Sequence, residues 1–78
     1  MKIIPELTGL LRLINRLQQT GQPLGRQTIV PFAEMKLPRV APAYEGLVGM
    51  LLKENLIQGN AEGFMLTPDG ENTVREIS

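Results

Sequence analysis

Eight of the polar and charged side chains in this sequence are candidates to meet an anion or a polar edge: Arg26, Gln27, Thr28, Lys36, Arg39, Glu45, Lys53 and Asn60. An arginine can bond a phosphate through two parallel N–H groups, or a guanine edge in the same way. Glutamate can accept from the exocyclic amine of cytosine, and asparagine can reach a phosphate or the floor of a groove. Catalysis has far less to work with. There is no cysteine and no histidine, which removes the thiolate nucleophile, the commonest general base and the commonest metal ligand. Glu62, Asp69 and Glu71 are carboxylates of a turn and a helix start, where capping accounts for them. No glycine loop of the phosphate-cradling kind occurs, and no metal-ligand spacing. The residues describe a binding protein, with neither an enzyme's machinery nor a cofactor.

Those side chains need elements to carry them. Leu7, Leu10, Leu11, Ile14 and Leu17 recur at the spacing that gathers them on one face of a helix, expected from about Pro5 to Thr20. Pro5 suits its first position and Gly21 its end. Residues 21–27 read as a connector with one short extended stretch near Leu24. A second helix is expected from Thr28 to Lys36, its start governed by Pro31, which is comfortable only in a first turn. Thr28 as N-cap puts proline third; a boundary at Val30 puts it first. Leu37-Pro38 closes this element. The third helix is expected from near Pro42 to Asn55. Val40, Tyr44, Leu47, Val48 and Leu51 gather on one side of it, and Pro42, Glu45, Gly46, Gly49 and Lys53 on the other. Leu56-Ile57-Gln58 and Phe64-Met65-Leu66 read as two short strands around a turn at 59–63. Thr67 as N-cap, Pro68 at the first position and two acids in the first turn then open a closing helix that runs to Ile77.

The chain of 78 residues is read as one domain, 1–78, with a core of Leu, Ile, Val and Met, since Phe32, Phe64 and Tyr44 are its only aromatics. It has no apolar run of membrane-spanning length and no signal-peptide pattern, so the expectation is a soluble, cytoplasmic protein that makes no contact with a membrane. Net charge is zero but divided. Residues 1–39 hold six cations against two acids, net +4, and residues 40–78 hold two cations against six acids, net −4. Most nucleic-acid-binding domains carry a basic excess, and this one does not.

Helix, helix, helix, hairpin, helix in under eighty residues is the plan of a winged helix-turn-helix domain: α+β, mainly α, with a three-helix core, a two-stranded β-wing and a short C-terminal helix. The run Leu51-Leu52-Lys53-Glu54-Asn55-Leu56-Ile57-Gln58 resembles the end of a recognition helix and the opening strand of a wing in MarR- and PadR-type transcription regulators. Asn55 stands where glycine is usual there, and both tolerate the left-handed conformation that closes a helix. Phe64-Met65-Leu66-Thr67-Pro68-Asp69-Gly70 is similar to the step from wing to last helix, and Phe32-Ala33-Glu34-Met35 to the second helix. The resemblance implies a small DNA-binding regulator that sets its third helix in the major groove of double-stranded DNA, with the 56–66 hairpin as wing. On that reading Arg39, Glu45 and Lys53 face bases, Arg26, Gln27, Thr28 and Lys36 face phosphates, and Asn60 sits at the wing tip.

A different reading attaches to the same face. Gly46 and Gly49 leave much of the third helix bare of side chains, which suits close packing against another helix. The alternative is therefore a winged-helix module for protein–protein interaction or dimerisation that binds no nucleic acid. Convergence of Arg26, Lys36, Arg39 and Lys53 on one face would support DNA, and dispersal a protein partner. The first and last helices of related proteins often form a dimer interface, which implies a homodimer through Ile3, Ile4, Leu13, Val74 and Ile77.

Overall fold

In the computed structural model, residues 4–21, 24–60 and 63–77 are described. Helix α1 spans Pro5–Gln19, and all five residues of its predicted stripe, Leu7, Leu10, Leu11, Ile14 and Leu17, are buried. Ile4 precedes it in extended backbone, which Pro5 at the first position requires of its neighbour. Gly21, at φ +77°, carries the chain out of the helix in a conformation glycine adopts without strain.

Helix α2 spans Arg26–Lys36 and starts two residues earlier than proline placement suggests, from Gly25 as N-cap. Pro31 is therefore its sixth residue, and the amide it lacks is the one that would bond the Gln27 carbonyl. Gln27 and Pro31 are both exposed, so water can serve that carbonyl. Meanwhile Ile29 and Ala33, one turn apart, are fully buried. Packing of that pair outweighs one lost hydrogen bond on the outer side.

Leu37 turns the chain before Pro38, a 3₁₀ turn follows at Ala41–Ala43, and helix α3 runs Tyr44–Lys53. Pro42 thus lies in the 3₁₀ turn and not at the head of the α-helix. Asn55 adopts φ +59°, with the Leu56 amide on the Leu51 carbonyl at 2.9 Å and the Asn55 amide on Leu52 at 3.1 Å. That is the left-handed helix ending expected of asparagine here, with Leu51 and Leu56 both buried in the core cluster.

Strands β1 (Ile57–Asn60) and β2 (Gly63–Leu66) form an antiparallel hairpin in which Ile57 pairs with Leu66 and Gly59 with Phe64. Both strands run further into the turn than residue type suggests. Gly59 makes this possible: at φ +116° it has no side chain, and a Cβ there would lie 2.5 Å from the Gly63 carbonyl oxygen. Ile57, Phe64 and Leu66 point inward, and Met65 outward. The Leu24 carbonyl accepts from the Phe64 amide at 2.9 Å, which ties the connector between α1 and α2 to the hairpin. Gln18 of α1 accepts from the Leu66 amide through Oε1 at 3.1 Å.

Thr67 makes the turn into helix α4 (Pro68–Ile77). Its hydroxyl accepts from the Gly70 amide at 3.0 Å and donates to the Asn55 carbonyl at 2.6 Å, tying the end of α3 to the start of α4. Gly70 is buried, and a Cβ there would fall on the Leu56 carbonyl oxygen. Among the described residues the chain is thus α+β and mainly α: four α-helices, one 3₁₀ turn and one two-stranded hairpin around a single core. α4 lies along α1, where the Arg12 guanidinium donates to the Ile77 carbonyl. Among the described residues no helix is long and apolar enough to cross a membrane.

Candidate interaction surface

Helix α3 is two-sided in the way its spacing predicts. Tyr44, Leu47, Val48 and Leu51 are buried, with Val40 ahead of them. Glu45, Gly46, Gly49, Met50 and Lys53 are exposed. At Gly46 and at Gly49 a Cβ would meet nothing within 4 Å. No neighbour inside the domain therefore requires glycine, although each costs the helix roughly 1 kcal/mol relative to alanine. The face presents bare backbone, with Met50 41% exposed beside it and Leu52 37% exposed.

The cations disperse. Arg26, in the first turn of α2, lies 3.4 Å from Glu45 in the first turn of α3, with both side chains mostly exposed. A pair so solvated contributes little to stability, but it engages Arg26 beside the α3 face. Gln27 beside it is exposed and Thr28 half-buried. Lys36 is ten residues on, about 15 Å along the axis of α2. It lines a cleft with Arg39, Leu37, Gly9 and Glu6, where α1 begins. Lys53 ends α3, about 12 Å along the axis from Glu45. The four cations thus fall in three places: Arg26 beside Glu45, Lys36 and Arg39 together in the cleft that Glu6 also lines, and Lys53 at the end of α3. Asn60 ends β1, and its side chain lies outside the described residues, as does Ile3.

Of the residues expected at a dimer interface, those described pack wholly or partly against the central cluster. Val74 is 5% exposed and belongs to the central cluster, and Ile4, Leu13 and Ile77 pack partly buried against it. Exposed apolar side chains occur elsewhere: Met35 (79%) and Phe32 on α2, Met50 and Leu52 on α3, Met65 on β2. Residue type alone does not reveal them, because an apolar residue in a helix reads first as core; for Met50 the glycines on its own face were the available signal.

Beneath the Arg26–Glu45 pair, Tyr44 is 3% exposed and its hydroxyl is buried with no hydrogen-bond partner. Burial pushes the phenol's pKa above 10.0; the Arg26 charge opposes this and the Glu45 charge adds to it. An orphan hydroxyl at the head of α3 is a cost that the packing of its ring must offset.

No group of three or more potential metal-ligating side chains occurs among the described residues. What the surface offers is shape and exposed apolar area on α3, charge-neutral around Arg26, Glu45, Lys53 and Glu54. No family model, no curated protein and no solved structure matches this chain.

Proposed function

We propose that the chain is a winged-helix domain that works as a protein-interaction module, docking a protein on the exposed face of α3. The observation that carries this reading is the character of that face. It joins two glycines in open space to exposed Met50, and its arginine neighbour is paired with Glu45. A surface that follows phosphates needs unpaired cations along it, because release of counterions supplies most of the affinity. Close packing of another helix needs small residues and apolar edges, which this face has.

Double-stranded DNA is the second reading, favoured by the element order and by the head of α2. No side chain caps that helix, and Thr28 is its first residue with an amide bonded back, to the Gly25 carbonyl at 3.0 Å. Arg26 and Gln27 flank amides free to meet a phosphate. Fluorescence anisotropy of a labelled random duplex, titrated with folded protein at low and physiological salt, decides between them. The protein-module reading expects no binding at either. Binding that weakens steeply with salt, with a dissociation constant of roughly 10⁻⁴ to 10⁻⁶ M at physiological salt, would replace it with the DNA reading.

A further inference from the structure

The exposed row of α3 is complementary to itself under a twofold axis. Glu45, Gly49 and Lys53 follow one another at four-residue steps, so they form one row that drifts by about 40° per step. Gly49 is the midpoint, with an acid one turn before it and a base one turn after. If a second α3 is laid antiparallel across the first, Gly49 on Gly49, each Glu45 stands opposite the Lys53 of the other copy. Two identical ion pairs then close the two ends of the contact, as a twofold interface requires. The helix axes can come close at the centre, because nothing projects there: a Cβ at Gly49 would be in open space within the domain. Met50, exposed beside the row, has room over the bare backbone at Gly46 of the facing helix.

We infer that α3 is the contact helix of an antiparallel homodimer centred on Gly49, with Glu45 and Lys53 as reciprocal partners. The inference rests on the reading of α3 as a protein-docking face and names its occupant, a second copy of this chain. Charge sets the direction. Parallel helices would set Glu45 against Glu45 and Lys53 against Lys53, and like charges facing each other are disfavoured. The Arg26–Glu45 pair does not compete, since a carboxylate has two oxygens and this one is largely exposed. Val74 of α4 is in the core, and Ile4, Leu13 and Ile77 are partly buried against it; α2 also exposes apolar side chains, but α3 sets an acid and a base one turn either side of a bare glycine.

Sedimentation equilibrium of the full chain, from about 1 µM to about 1 mM, tests this. Dimer is expected to accumulate with concentration. The variant E45K sets lysine against Lys53 of the second copy and raises the dissociation constant at least about tenfold. The double variant E45K/K53E restores the opposite charges across the interface, and with them the dissociation constant to within about threefold of the original. It leaves residue 45 a lysine beside Arg26, so recovery reports the contact between copies and not the local pair. G49L separates folding from association, raising or holding the thermal midpoint of the dilute monomer while abolishing the dimer. A monomer over the whole range, a dimer indifferent to E45K, or a double variant without recovery overturns the homodimer. Salt-sensitive duplex binding overturns instead the docking reading beneath it.

Discussion

Replacing Tyr44 with phenylalanine should stabilise this domain. The hydroxyl is buried at the head of α3 and finds no partner, so it has left water without a protein bond in exchange. An unsatisfied buried group of this kind costs about 1–3 kcal/mol. The ring, which makes the packing contacts, stays in place in Tyr44→Phe, so the gain should be about 1 kcal/mol or more. In a domain of this size that corresponds to a rise of roughly 4–8 °C in thermal midpoint per kcal/mol. Urea denaturation and thermal melts, run dilute so that association does not contribute, give the number. A loss of about 1 kcal/mol in the variant would mean that the hydroxyl is bonded, and would refute the reasoning. Titration gives a second view. Tyr44 is the only tyrosine and there is no tryptophan, so phenolate absorbance reports this residue alone. Burial raises its pKa above 10.0, against the pull of Arg26. Because the folded value exceeds the unfolded one, the associated stability is intact below about pH 10 and shrinks as pH climbs through the folded value. The phenylalanine variant should lose that alkaline decline.

Gly70→Ala should cost at least about 3 kcal/mol, because its Cβ meets the backbone carbonyl of Leu56 and no flexible side chain can yield; far-UV circular dichroism with denaturant reads it. At Asn55, φ +59° sets opposite expectations for two small residues: Asn55→Ala should lose about 1 kcal/mol, while Asn55→Gly should hold or gain, as measured by the same melts. Thr67→Val removes the acceptor for the Gly70 amide and the donor to the Asn55 carbonyl, so a loss of about 1–2 kcal/mol is expected, with fraying of α4 seen in amide exchange. Removing the Arg26–Glu45 pair in a double-mutant cycle should show a coupling below about 1 kcal/mol that fades in salt.

What could be read along the chain was whatever is decided within a turn or two of itself. The five-residue stripe of α1, the buried and exposed sides of α3, the left-handed exit at Asn55 and the Thr67-Pro68 start of α4 all depend on spacing, caps and local backbone preference. These are properties of residues three or four apart, and the residue order contains them. The α3 face was legible in the same way, including its glycines. Tertiary structure settled what depends on residues that meet from afar. It started α2 at Arg26 in spite of Pro31, since burial of Ile29 and Ala33 outweighs the missing amide. It set Arg26 beside Glu45 and placed Lys36 and Arg39 along another cleft, where α1 begins. It took Val74 into the core. It left Gly46 and Gly49 facing open space while pressing Gly70 onto a carbonyl, a difference that glycine, having no side chain, cannot announce in a sequence. The charge on a side chain is local, but the charge of a surface is a sum over elements whose arrangement only packing decides.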